Sequence, residues 1–236
     1  MLFVHELHQV VGAKEDEFEA LFRDGWMRTL AEGDEARLLW YMNHAHGSGV
    51  SYQVVTITAV RDGAAWERLA RRMQQGDLQD WAREVDTYRH DVTAKTMLPV
   101  YWSAIQEVDF AQVPTDGTEH ELSLFMEDTG WPTSSLDEYI QAWDDIYRQP
   151  LLAYADDMRA IPIDIQACFQ NAHGSSLRRE AMLWQYIPDP ATVAHLITTD
   201  LPVERRVPGT YMYDALAFRD QWKSRLLRTA AWSPLF

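Results

Sequence analysis

A single cysteine in 236 residues, Cys168, leaves no internal disulfide to consider. No apolar run approaches the roughly 20 residues that span a bilayer. The opening MLFVHELHQVV meets charge too early for a secretory leader, so the expected setting is cytoplasmic, with no membrane partner. Basic residues are the minority, 21 against 36 acidic, and the formal charge of −15 repels phosphate backbones; nucleic acid is not an expected partner. Phosphate-cradling Gly-rich loops, a Walker pattern and a G-x-S-x-G elbow are all missing, which removes support for nucleotide-dependent and serine-hydrolase chemistry.

What the chain has is apolar mass and a repeat. Apolar residues make up 47 % and aromatics 12 %, ample for a core. His5-Glu6-Leu7 recurs as His120-Glu121-Leu122, and Asp16-Glu17-Phe18 through Trp26 aligns without a gap on Asp137-Glu138-Tyr139 through Tyr147. His46-Gly47-Ser48 recurs as His173-Gly174-Ser175, and Trp102-Ser103 as Trp232-Ser233. The anchors keep their order, so the chain reads as a tandem duplication.

Each copy opens on an alternating segment, 2–11 and 120–127, followed by helical recurrence at Phe18, Leu21, Phe22, Trp26 and Leu30, echoed by Tyr139, Ala142, Trp143, Ile146, Tyr147 and Leu151. Ser135 and Glu138 are spaced as a capping box. Hairpins are expected at 37–46 with 50–60 and at 161–171 with 180–187, then a second helical region broken at Gly76, then a closing strand near 97–105. The order is the βαββαβ unit of ferredoxin-like modules, with both helices on one face of an antiparallel sheet. The expected fold is therefore α+β: two tandem ferredoxin-like repeats, 1–107 and 118–236, joined by a linker at 108–117 and packed sheet to sheet as a pseudo-twofold α+β barrel.

The segments VHELHQVVGAKEDEFEALF and LLWYMNHAHGSGVSYQVVTITAV give the chain a resemblance to the dimeric α+β barrel superfamily, and within it to NIPSNAP-type proteins. That resemblance implies a small-molecule pocket. It does not select among the superfamily's cofactor-free monooxygenases, cyclases, isomerases and haem enzymes.

Strand alternation sorts side chains by face. In the second copy Leu122, Leu124 and Met126 suit the helices, which sends Glu121, Ser123, Phe125 and Glu127 inward. Carrying that parity across the His-Glu-Leu match places Val4, Glu6, His8 and Val10 inside the barrel. On the second strands it places Leu39, Tyr41 and Asn43 inside, together with Asp164, Gln166, Cys168 and Gln170. Glu6, His8 and Glu121 are thus the expected catalytic groups, a carboxylate base with an imidazole partner. Tyr41, Asn43, Cys168, Gln170 and Trp184 are the expected substrate-binding residues, Trp184 with its face left open. His44, His46 and His173 sit at hairpin turns without a completing ligand set, so no metal is expected. Together these features suggest a cofactor-independent enzyme acting by general acid/base chemistry on a small apolar or aromatic molecule, of isomerase, dehydratase, cyclase or oxygenase type. The alternatives are a haem enzyme of the same superfamily with a histidine axial ligand, or a non-catalytic binding barrel. A second copy of the chain is the protein partner this reading leaves open.

Overall fold

The computed structural model describes residues 1–153, 163–175, 177–191, 193–194 and 207–236. Eight antiparallel strands close into one barrel: β1 (Leu2–Val10), β2 (Ala36–His44), β3 (Gln53–Val60), β4 (Arg89–Pro99), β5 (Leu124–Pro132), β6 (Asp164–His173), β7 (Ala181–Ile187) and β8 (Arg219–Thr229). Around the barrel they run β1-β3-β2-β8-β5-β7-β6-β4. Each half has its own four strands in the same spatial order, β4-β1-β3-β2 and β8-β5-β7-β6. The two sheets join where β2 meets β8 and β4 meets β6. Closure leaves no sheet edge exposed to template aggregation.

Helices cover the outside. α1 (Glu15–Ala20) runs through a wider π-helical turn, Leu21–Trp26, into α2 (Met27–Ala31). α3 (Gly63–Gln75) and α4 (Gln79–Thr87) flank Gly76, and the Asp62 side chain accepts from the Ala65 N–H to cap α3. α5 (Leu136–Trp143) starts on the Ser135/Glu138 capping box and also continues through a π turn, Asp144–Arg148. The second helix expected of repeat 2 falls largely on 192 and 195–206, and the expected start of its hairpin on 161–162; both lie outside the described residues.

Three apolar clusters follow from this layering. One joins α1 to α4 to the outer sheet face through Phe18, Phe22, Trp26 and Tyr41. Another packs α5 on the second sheet through Tyr139, Ile140, Trp143 and Cys168. The third fills the barrel with Phe3, Trp40, Met42, Phe125, Phe169 and Trp184. Phe110 and Val113, on the stretch expected to be a linker, belong to the barrel cluster.

Several expected positions are corrected. The fourth strand is Arg89–Pro99 rather than 97–105, and Trp102 and Trp232 lie in the turns beyond β4 and β8. On β1 the barrel-facing residues are Phe3, His5 and Leu7, so Val4, Glu6, His8 and Val10 face the helices. The reason is register. Pairing Leu2 with Leu124, the first residues of β1 and β5, is an even shift, whereas His5 on His120 is an odd one, and an odd shift exchanges the two faces. Glu121 precedes β5 and is exposed. Tyr41 and Cys168 are turned outward by register shifts, between Leu38 and Trp40 on β2 and between Ile165 and Ala167 on β6. Past those bulges Trp40 and Met42, and likewise Ala167 and Phe169, face the barrel.

Candidate active site

Under the helices of the first repeat lies a cavity of about 240 Å³ with Glu6 on its floor. Trp26, Trp66, Trp81, Phe22, Leu69 and Met73 wall it. Trp26 and Trp81 stack with ring centroids 4.5 Å apart, and the Trp81 indole N–H donates to the Leu21 carbonyl at 3.3 Å, at the start of the π turn. π turns are often found at functional sites. Two buried polar groups of the wall, Thr58 Oγ1 and Trp26 Nε1, have no hydrogen-bond partner among the described residues. Orphaned groups are rare in native interiors, and here both belong to residues that line the cavity.

Glu6 is enclosed by protein but keeps part of its surface on the cavity. Burial pushes its carboxyl above the ordinary 4.5, opposed by the Arg89 charge and a hydrogen bond with Thr56. The neighbouring donors fix one arrangement of protons. Arg89 Nη1 lies 2.9 Å from His8 Nδ1, and because a guanidinium only donates, Nδ1 must accept. The proton is therefore on Nε2, which donates to Thr56 Oγ1 at 3.1 Å, leaving the Thr56 hydroxyl hydrogen for Glu6. His8 is fully buried against Phe18 and Phe22, and burial, reinforced by Arg89, holds it well below 6.5 and neutral. Asp86 in turn fixes Arg89, with Nε to Oδ1 at 2.9 Å. The chain Arg89–His8–Thr56–Glu6 aims one carboxylate into an apolar pocket, a common signature of an acid/base site.

Among the described residues the second repeat keeps a buried carboxyl, Asp128, at the place of Glu6 but has no imidazole beside it. Gly130 stands opposite His8, and a Cβ there would lie 1.9 Å from the Tyr139 hydroxyl oxygen. Tyr139 itself corresponds to Phe18. The larger ring with a bare glycine thus replaces the smaller ring with an imidazole.

Of the expected site residues, the structure brings together Glu6 and His8, on the helix side of the sheet. Tyr41 packs against Phe22 and Trp232 with its hydroxyl unpartnered. Asn43 lines a separate recess by the β2–β3 hairpin. Cys168 is buried beneath α5, where desolvation raises its thiol well above 9. Gln170 pairs with Leu98 and Ala181 across neighbouring strands. Trp184 is fully buried in the barrel, 5.4 Å from the Trp40 ring. Nothing in the helical spacing of Trp26, Trp66 and Trp81 tells a cavity wall from a core, so the sequence carries no signal of this role. Among the described residues, no group of three or more His, Cys, Asp or Glu could hold a metal ion, and no helix is long and apolar enough to cross a membrane.

A monooxygenase provisionally assigned from Lactobacillus acidophilus NCFM superposes with a TM-score of 0.56 at 9 % identity, covering 99 % of this chain and 97 % of that one. A provisionally assigned chlorite dismutase gives 0.53 at 11 %, covering 98 % and 96 %. The chain has the α+β barrel fold of these two structures. A NIPSNAP domain protein from Burkholderia xenovorans is also similar, at 18 % identity over 43 % of this chain and 97 % of its own, with a TM-score of 0.37. No family model and no curated protein matches the sequence.

Within the α+β barrel fold, haem is the cofactor to test against these residues. An axial histidine needs a free ring nitrogen. His8, the histidine joined to the Glu6 network, commits Nδ1 to Arg89 and Nε2 to Thr56, so the residues around this cavity do not fit a haem.

Proposed function

We propose that this protein is an enzyme without a resident cofactor, acting on a small apolar or aromatic substrate in the tryptophan-lined cavity, with Glu6 as general base. The observation that carries this reading is a carboxyl with a raised pKa at the floor of a cavity walled by three tryptophans. A flat substrate would lie against Trp66, Trp81 and Trp26. Its polar group would meet the Thr58 hydroxyl and the Trp26 indole N–H. Glu6 would remove a proton from an activated C–H or O–H, while Thr56 and His8 hold the carboxylate in place and Arg89 favours its charged form. Isomerisation, dehydration, cyclisation and oxygenation all can start from such a carbanion or phenolate. The fold shared with a provisionally assigned monooxygenase is compatible with the oxygenase outcome.

The test uses deuterium. Aromatic ketones and phenols with acidic C–H bonds are incubated with the protein in D2O, and exchange is followed by NMR. Glu6→Gln, which keeps the volume, should slow catalysed exchange by about two to four orders of magnitude. Exchange that proceeds equally fast in Glu6→Gln would refute the assignment.

A further inference from the structure

The barrel's interior carries a second constellation, separate from the helix-side cavity. His5 and Glu127 meet inside it, with His5 Nε2 2.8 Å from Glu127 Oε2, and Arg225 Nη1 donates to the other carboxylate oxygen. Nearby, Lys95 Nζ and the Trp131 indole N–H hold the two oxygens of Glu180 at 3.0 and 2.9 Å. Glu127, Glu180, Trp131 and His5 are all at least nine-tenths buried.

These groups border a recess of about 180 Å³ at one end of the barrel. Lys95, Lys223 and Arg225 all line it, against one carboxylate, Glu180. Glu180 is already saturated by Lys95 and Trp131, and Glu127 by His5 and Arg225. Lys223 has no acidic partner within 4.0 Å among the described residues. Although the residue is exposed, partial desolvation and then the Arg225 charge hold its ammonium below its ordinary 10.5. Arg225 Nε is also buried without a partner among the described residues. Burial, with Lys95 and Arg225, holds the His5 imidazole below its ordinary 6.5 against the opposing pull of Glu127. Three cations against two carboxylates leave an excess positive charge facing an open space, in a protein whose net charge is −15. An anion entering the recess would meet this excess with no free carboxylate opposing it.

We infer that the barrel mouth is a binding site for a small organic carboxylate, with the carboxylate between Lys223 and Arg225 and a short hydrocarbon chain against Leu7 and Trp131. The space suits this class: at roughly 30 Å³ per water it holds about six water volumes, enough for a few carbon atoms and their charged head. Leu7 and Trp131 supply an apolar wall that inorganic phosphate would leave in contact with water. The site is distinct from the Glu6 cavity and faces the opposite side of β1.

The experiment is titration calorimetry with butyrate, butyramide and inorganic phosphate as probes. Butyrate should bind saturably, and Lys223→Gln, an exposed position whose change leaves the fold intact, should weaken it by tenfold or more. Butyramide and phosphate should each bind at least tenfold more weakly than butyrate. No saturable butyrate binding, equal binding of butyramide or phosphate, or unchanged affinity in Lys223→Gln would overturn the proposal. Glu6→Gln should leave butyrate affinity unaltered, which separates this site from the proposed catalytic one. Loss of butyrate binding in that variant would place the ligand in the helix-side cavity and overturn it as well.

Discussion

Ser103 Oγ accepts the backbone N–H of Cys168 at 3.0 Å, clamping a strand of the other repeat. The mirror contact exists too: Ser233 Oγ accepts the N–H of Tyr41 at 3.1 Å. Both N–H groups follow a register shift in their strands, where the ladder would otherwise leave a donor unpaired. The neighbouring tryptophans cross as well, Trp102 Nε1 to the Ile140 carbonyl at 3.0 Å and Trp232 Nε1 to Glu19 at 2.7 Å. Ser103→Ala and Ser233→Ala should each lower stability by about 1–3 kcal/mol, the cost of a buried donor left unmet. The two losses should add, since the residues serve different junctions, and urea melts of the double variant measure this.

The raised pKa of Glu6 has two consequences with opposite uses. Activity requires the carboxylate, so kcat/KM should fall as pH drops through a value above 4.5, and Glu6→Gln should lack that limb. Stability runs the other way. A carboxyl whose folded pKa is raised favours the folded state most below about 4.5, and that contribution is lost as pH rises through the folded value. Glu6→Gln should therefore gain stability relative to the native chain on going from pH 4 to pH 8. Melting curves at both values check the sign.

Glu127 behaves in the reverse sense. Burial alone would raise its pKa, but His5 and Arg225 outweigh it and hold the carboxyl far below 4.5. Its contribution is present above about 4.5 and is lost as pH falls towards the folded value. Glu127→Gln leaves Arg225 buried without its counter-charge and should cost about 3–5 kcal/mol at neutral pH. The variant should also lose the native chain's acid-induced decline over that range, which denaturant melts between pH 3 and pH 7 would reveal.

Trp66 forms part of the cavity wall yet is 41 % exposed, so it holds the fold less firmly than Trp26 or Trp81. Trp66→Ala should raise KM for a flat substrate by roughly tenfold, the worth of one lost aromatic contact, and leave kcat nearly unchanged. A fall in kcat with KM constant would mean that Trp66 acts on the transition state.

The sequence made the repeat legible because helix periodicity, the Ser135/Glu138 capping box and the hairpin turns are local signals. It also made the Glu6–His8 partnership legible, since residues two apart on a strand share a face whichever face that is. The side of the sheet was not legible. A repeated His-Glu-Leu tripeptide suggested an odd register, and bulges beside Tyr41 and Cys168 reversed the alternation within single strands. Lys95 escaped notice because β4 begins at Arg89, immediately after α4, and its polar run RHDVTAKT does not look like a barrel strand. Arg225 was hidden in the same way in β8, RDQWKSRLLRT. Thr56 and Arg89 gain their meaning only from the third dimension, one across a strand pair and the other at a strand's start.

His5 and Glu127 occupy the same place in their respective halves, two positions beyond Phe3 and Phe125, and they touch. At such a point a pair of identical subunits can set only like against like, imidazole on imidazole or carboxylate on carboxylate. A continuous polypeptide escapes that restriction, because each half can be edited without its twin. The contact between an acid and a base inside this barrel is therefore a chemical asymmetry that a symmetric homodimer of either half could not possess.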